Sequence, residues 1–424
     1  EGRDRSLFRG LESAIRDRMA YSDKICHADP QCHNECKLKI YDFDGRRSVW
    51  GGECGRYEVT RGRGTRKENL FDLRDRVWQT YMAGVFEELG ETPLLEAAGR
   101  PTVGMQRALY GIHASVLWAH FFDRLGFRLV LTPATTQQIS RTGIESMVAE
   151  TCYPVKVSFG HVRALAGKTR FLFLPTLIDM PVPNPSEVGY YCPMVQSNTY
   201  MVRSAFGLDR ARLLSPSLHL KYDPDLLAAE LSEQVRETLG VTKTQVKAAL
   251  RYALERQHQY VKDLQRKGRD ILETLPAHEP VVVVTGRPYN LYDERVNLRV
   301  GQNLSKIGLS ALPMDFVDVS DIDLGEFSSM YWGLGAQILR TAKRISALPN
   351  AFGLHLTNFG CGADSFIEHF YRHVMGAKAH LILELDEHSA VAGVMTRLEA
   401  FKNVLENTMQ KSAWNQEPGL KLAN

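Results

Sequence analysis

Four consecutive valines, Val281–Val284, form an apolar run of strand length with no polar face. A strand that reads this way is buried on both sides, as in an open sheet covered by helices. It belongs to a series. Upstream, a strand-like start at Thr102–Gly104 leads to a helix carrying Val116, Leu117, Phe121 and Phe122, which stops at Leu125-Gly126 before the strand Phe127–Leu131. A helix over Pro154–Ala166 precedes a further apolar run at Arg170–Pro175. Downstream of Val281–Thr285 come a helix near Val296–Ile307, a strand Ser310–Pro313, a helix near Met330–Ala347, a strand Ala351–Thr357, a helix near Ser365–Met375 and a strand His380–Glu384. The alternation predicts an α/β fold: two Rossmann-like open parallel-sheet domains with a helical connector and a small N-terminal Cys-rich module.

The expected boundaries are 1–98 for the metal-binding module and linker, 99–225 and 276–424 for the two α/β domains, and 226–275 for the connector. The first segment opens with a helix-like stretch from Leu7 to Met19 and closes with an amphipathic helix near Leu70–Leu89. In the connector Leu227, Leu231, Val235 and Leu239, then Val246, Leu250, Leu254, Val261 and Leu264, recur at helical spacing without a strand signal. A chain of 424 residues with 44% hydrophobic content is too long for one core and too apolar for disorder. No internal repeat has a fixed period.

Several function classes drop out. No uncharged apolar run reaches the roughly 18 residues a membrane helix needs, so no membrane span is expected. The chain opens at Glu1 with no signal pattern ahead of the fold and reads as a piece of a longer polypeptide. With 52 basic and 49 acidic residues, a net charge of +3 gives no case for a polyphosphate partner. The locally basic stretch Arg56–Arg76, with Arg61, Arg63, Arg66 and Lys67, reads as a solvated linker face before a nucleic-acid contact. No dinucleotide fingerprint, phosphate-binding loop or nucleophile elbow occurs.

The seven cysteines are an odd number in a large chain, which points to a reducing, cytoplasmic setting and to metal ligation before disulfides. Cys26, Cys32, Cys36 and Cys54 crowd the start, while Cys152, Cys192 and Cys361 are solitary, so two separate sites are expected. Each solitary cysteine has Pro or Gly beside it and lies between a strand-like and a helix-like segment. In parallel α/β sheets such junctions converge beyond the carboxyl ends of the strands. A helix N-terminus also favours a thiolate. Three thiolates from two facing domains can hold one 4Fe-4S cubane and leave an iron open; the alternative is three buried thiols packing as small hydrophobes. The quartet fits a closed zinc site or a second, fully ligated 4Fe-4S cluster, with Gly51-Gly52 letting the chain turn tightly and His27 or His33 able to replace a thiolate. Arg287 and Tyr289, just past the valine strand, are candidates to face the same crevice. His113, His161 and His355 are candidate proton donors, set against a role as satisfied core histidines.

The segments Pro101–Leu109, Trp118 to Phe127, Glu150-Thr-Cys-Tyr-Pro-Val-Lys156 with Gly160-His161, Gly286-Arg-Pro-Tyr-Asn290, Asn358–Phe366 and above all Leu385–Phe401 resemble the uncharacterised domain of acyl-CoA dehydratase activase-related proteins and their relatives, the 2-hydroxyglutaryl-CoA dehydratase subunits. The resemblance spans roughly residues 100–400 and implies a cubane held by Cys152, Cys192 and Cys361. It also implies electrons delivered by an ATP-hydrolysing activator, on the same longer chain or on a partner, and an acyl-CoA or other reducible substrate. A double cubane, which a neighbouring branch uses, would need the quartet or a second subunit. The expected assembly is a homodimer and the expected activity an ATP-dependent reductase or dehydratase component. The competing expectation is a non-catalytic scaffold with a structural zinc site.

Overall fold

The computed structural model describes residues 21–28, 36–43, 46–52 and 67–416. The helix-like stretch Leu7–Met19, together with Cys32, His33, Cys54, Arg56, Arg61, Arg63 and Arg66, lies outside the described residues. The chain divides into two compact units, Glu1–Arg63 and Gly64–Asn424.

In the first unit β1 (Tyr21–Ile25), β2 (Lys37–Phe43) and β3 (Arg46–Trp50) form an antiparallel sheet in that order. Ile25 pairs with Lys37, so the next residues out, Cys26 and Cys36, face each other at the mouth of the hairpin. The Cys26 N–H donates to the Cys36 carbonyl at 2.9 Å. Gly51 takes φ +96°, and a Cβ there would lie 2.4 Å from the Lys37 carbonyl oxygen. Only glycine lets the chain leave β3 this close to β2.

The second unit is mixed α/β, with several parallel sheets and, among the described residues, 13 α-helices in the chain. It begins with α1 (Leu70–Met82), capped by the Asn69 side chain, which accepts from the Phe71 N–H. The expected helix over Leu70–Leu89 is shorter because Gly84 turns the chain at φ +75° into β4 (Phe86–Glu88). Then follow β5 (Glu96–Ala97), β6 (Arg100–Met105), α2 (Tyr110–His113), α3 (Ser115–Arg124), β7 (Arg128–Leu131), α4 (Gln137–Glu145), α5 (Tyr153–Leu165), β8 (Phe171–Phe173), β9 (Thr176–Asp179), α6 (Pro193–Phe206), β10 (Leu213–Leu214) and β11 (Ser217–His219). Two long helices, α7 (Pro224–Leu239) and α8 (Lys243–Thr274), lead to β12 (Val281–Gly286), α9 (Pro288–Leu291), α10 (Val300–Lys306), β13 (Ser310–Pro313), α11 (Gly333–Ala347), β14 (Ala351–Asn358), α12 (Gly362–Met375), β15 (His380–Leu385) and α13 (Val391–Gln416).

Two parallel sheets share one winding. The order of the first is β10-β8-β6-β7-β4, with β5 antiparallel on β6; the order of the second is β13-β12-β14-β15. From an inner strand, β6 or β12, each adds the next strand on one side and then crosses to the other, to β8 or β14; in the first sheet β4, which precedes β6 in the chain, closes the edge beyond β7. The place where the direction reverses is a topological switch point, where elements leaving adjacent strands diverge and open a crevice. The valine run explains the second sheet. Val281 and Val283 enter one hydrophobic cluster, Val282 and Val284 another, and all four are fully buried. The 32-residue α8, about 48 Å long at 1.5 Å per residue, opens with a Thr242–Gln245 capping box and packs on α3, α7 and α1.

The helix expected at Val296–Ile307 starts only at Val300, because Leu298 and Arg299 hold left-handed backbone at φ +53° and +56°. Where α4 crosses α5 the helices touch backbone to backbone. A Cβ on Gly143 would lie 2.1 Å from the Lys156 carbonyl oxygen, and one on Gly160 would lie 1.9 Å from that of Ile139.

Candidate functional site

The three solitary cysteines occupy one kind of position: Cys152, Cys192 and Cys361 are the N-cap residues of α5, α6 and α12. Proline directs this. Pro193 follows Cys192 directly and pushes it to extended backbone, φ −65° and ψ 151°, while Pro154 stands in the first turn of α5. None of the three side chains caps its own helix, and all are buried.

The thiols lie within electrostatic reach of one another. Burial pushes the Cys152 thiol up to about 11; a charge on Cys192 adds to the shift and the Arg287 guanidinium opposes it. Burial likewise raises Cys361, with Asp364 adding to it, Arg287 opposing and Cys152 adding. Tyr289 is also raised by burial, and its hydroxyl senses Arg287 and all three cysteines. At neutral pH Cys152 and Cys361 are therefore neutral thiols in the free protein, and a soft metal or cluster would displace their protons on binding.

Arg287 is the N-cap residue of α9, directly past β12, and is 1% exposed. Its Nε donates to Asp364 Oδ1 at 2.8 Å. The other carboxylate oxygen accepts from Thr357 Oγ1 at 2.9 Å. Burial works against the guanidinium charge, but Asp364 together with Tyr289, Cys361 and Cys192 more than offsets it, so Arg287 stays charged. Its Nη2 has no hydrogen-bond partner among the described residues. Because β12 and β14 are adjacent parallel strands, Arg287, Cys361 and Asp364 all leave the switch point of the second sheet.

The first sheet supplies the other wall. Leaving β6, Leu109 holds φ +46° and ψ −125°, a backbone conformation that costs a non-glycine residue energy. It starts α2, which packs against α9. The His113 Nε2 lies 2.9 Å from the Tyr191 hydroxyl, beside Cys192, with the two rings stacked. Burial, with a contribution from Arg74, lowers His113 to about 4, so it is neutral. Gln106 Nε2 donates to Asn198 Oδ1 at 3.0 Å, and Asn198 Nδ2 donates to Ser158 Oγ at 2.7 Å, tying the end of β6 to α6 and α5.

The remaining candidates are placed differently. His161 is nine residues into α5 from Cys152, its ring nitrogens 2.6 and 2.8 Å from the Thr132 and Thr135 hydroxyls, and Thr135 in turn donates to Asp293. Both nitrogens are committed to core hydroxyls. His355, in β14, bonds Thr285 Oγ1 at 3.2 Å and stacks on Tyr371. Of the quartet, Cys26 and Cys36 face each other and His27 is exposed. In the basic stretch Lys67 pairs with Glu279, and buried Arg74 pairs with Asp315 at 2.7 Å while lying 3.4 Å from the Tyr292 ring centroid. Arg74 is thus a core residue and not part of a solvated face.

Sequence reading did not single out Asp364, Gln106, Asn198 or the buried contact from Lys156 Nζ to Glu387 Oε1 at 2.5 Å. The spacing Cys361-x-x-Asp364, an acidic residue in the first turn of a helix, was a usable signal for the first of these.

Among the described residues no group of three or more His, Cys, Asp and Glu side chains is arranged to hold a metal ion. A cubane is wider than a single ion and takes its thiolates further apart. The donor set is soft sulfur, which suits iron–sulfur clusters or zinc. A buried, unpartnered guanidinium N–H within electrostatic reach of the thiols complements the net negative charge of a thiolate-ligated cluster. The residues present fit such a group.

Together these features define an α/β protein in which two parallel sheets bring thiols and a buried ion pair into one neighbourhood. Over residues 102–317, just over half its length, the chain matches the model of the CoA enzyme activase uncharacterised domain, and it belongs to that family. The matched stretch includes Cys152, Cys192, Arg287 and Tyr289; Cys361 lies beyond it. Among curated proteins none matches the chain. Solved structures similar to it include the SBP FpvC of Pseudomonas aeruginosa in complex with Ni2+, at 14% identity over 76% of this chain and 100% of that one, TM-score 0.22. A mutant metal-free periplasmic metal binding protein from Candidatus Liberibacter asiaticus shares 7% over 73% and 99%, TM-score 0.24. The periplasmic zinc binding protein TroA of Treponema pallidum shares 13% over 74% and 99%, TM-score 0.21. Likenesses this distant carry no argument about fold or function. Among the described residues no helix is long and apolar enough to cross a membrane.

Proposed function

We propose that this chain is an iron–sulfur component of the 2-hydroxyacyl-CoA dehydratase and activase superfamily, in which two Rossmann-like halves hold a 4Fe-4S cubane through Cys152, Cys192 and Cys361. The observation that carries the reading is the common environment of the three cysteines: each stands at the N-cap position of a helix, each is buried, and Tyr289 senses all of them. When bound, such a cluster supplies low-potential electrons and an open iron able to act as a Lewis acid.

The protein's own residues would do the rest. The helix N-termini of α5, α6 and α12 stabilise thiolates. Burial of the three cysteines excludes water and keeps the potential low. Tyr289 and His113 stand nearest in chemistry to a proton donor, the first by its link to all three thiols and the second through Tyr191. In this reading an ATP-hydrolysing activator delivers the electron, the substrate is an acyl-CoA or another small reducible compound, the N-terminal quartet holds a second cluster or zinc, and the protein works as a cytoplasmic homodimer.

Anaerobic reconstitution with iron and sulfide tests the proposal. Bound iron and acid-labile sulfide are expected, with loss of the cubane signal in each of Cys152→Ser, Cys192→Ser and Cys361→Ser. Full iron retention in all three variants, or a colourless protein holding only zinc, would overturn it.

A further inference from the structure

We propose that Arg287, held by Asp364, tunes the reduction potential of the cluster by placing a fixed positive charge and an unpartnered N–H donor beside its sulfur atoms. The inference rests on the cubane reading above and goes beyond it, since ligation by three cysteines requires neither residue.

The guanidinium is fully buried, yet only Nε is given to Asp364, and Nη2 has no partner among the described residues. Leaving such a donor dry is costly, and native proteins keep the arrangement where something else accepts. Arg287 does not cap α9 with its side chain. Its electrostatic neighbours are Asp364, Tyr289, Cys361 and Cys192, and Cys152 senses it in return. Both Asp364 oxygens are held, one by Arg287 and one by Thr357, so the carboxylate is fixed in place. Cys152 senses the guanidinium ahead of the carboxylate and Cys361 the carboxylate ahead of the guanidinium, so both charges of the pair act on the thiols. Hydrogen bonds to sulfur and positive charge both favour the more negative, reduced form of a cluster and raise its potential.

The test compares reconstituted wild type with Arg287→Gln, Arg287→Lys and Asp364→Asn, measuring iron and sulfide per chain and the midpoint potential by redox titration followed by EPR. Arg287→Gln removes the cation and leaves Asp364 uncompensated; the reduced-to-oxidised ratio is expected to fall at least tenfold, which for a one-electron couple is about 59 mV. Asp364→Asn leaves the cation uncompensated and is expected to shift the ratio the opposite way. Arg287→Lys keeps the charge and is expected to stay within a few-fold of wild type. Opposite shifts are the signature, because a merely structural pair would lower loading in every variant without splitting the potentials by sign. Wild-type midpoints in the variants that load iron, shifts of the same sign, or loss of iron from all three overturn the inference while leaving the cluster reading standing. Absence of iron and sulfide from the wild type instead overturns the proposed function and takes this inference with it.

Discussion

Alanine at Gly160 and alanine at Gly393 are the same chemical change in two helices, and the structure assigns them opposite signs. At Gly160 the new methyl would lie 1.9 Å from the Ile139 carbonyl oxygen and 3.1 Å from the Gly143 nitrogen. Ordinary contact begins near 3.4 Å, so α4 and α5 would have to part by more than an ångström. α5 cannot yield easily, since eleven of its residues from Tyr153 to Leu165 are buried. Overpacking of this kind costs about 1–3 kcal/mol or more. A clash this deep, 1.9 Å from a backbone oxygen, falls at the upper end of that range; replacing a helical glycine gives back about 1 kcal/mol of propensity, so a net loss of about 2 kcal/mol or more is expected. At Gly393, in α13, nothing lies within 4 Å of the new methyl. There the propensity term stands alone, and a gain of up to about 1 kcal/mol is expected. Urea unfolding of both variants, followed by circular dichroism, reads the sign directly. A Gly160→Ala protein as stable as wild type would refute the backbone contact between α4 and α5.

Lys156 pairs with Glu387, which is largely buried, and with Glu150, which is almost fully exposed. Glu387→Ala removes the better shielded partner of a part-buried ammonium and should cost about 1–2 kcal/mol, whereas Glu150→Ala should be indistinguishable from wild type in the same unfolding assay; equal effects would show that burial does not govern the pair. Burial, with a smaller contribution from Arg107, lowers His161 to about 3 from its ordinary value of 6.5, so the folded protein keeps it neutral while the unfolded chain takes up a proton. The stability it contributes is present above 6.5 and is lost as pH falls toward about 3; an NMR titration of the His161 ring with a midpoint near 6.5 in the folded protein would contradict this.

The features legible in the sequence are the local ones. The four valines announce a strand buried on both faces because each neighbour in the run is apolar, and the two clusters they enter are the physical counterpart of that pattern. The helix starts at Cys152 and Cys192 were legible because proline has a fixed place in a first turn. Periodicity overran its bounds where single residues took left-handed backbone, at Gly84 after α1 and at Leu298 and Arg299 before α10. Asp364 stood unremarked because its partner is 77 residues away, and the Lys156–Glu387 contact spans 231 residues. Pairings of that range leave no mark on local spacing.

The shared winding of the two sheets gives the candidate site a further logic. In each sheet a buried polar pair joins the segment leaving the first inner strand to a segment beyond the strand across the switch point. In the first sheet it is His113 with Tyr191, in the second Arg287 with Asp364. The positions correspond, but the chemistry does not: His113 is held neutral by burial, while Arg287 remains a cation because its partner is a carboxylate. A ligand bound among Cys152, Cys192 and Cys361 would therefore meet a neutral wall contributed by β6 and a charged one contributed by β12. A neutral imidazole can donate or accept a proton, whereas a guanidinium in this setting can do neither. The two walls thus differ in charge, neutral at His113 and positive at Arg287.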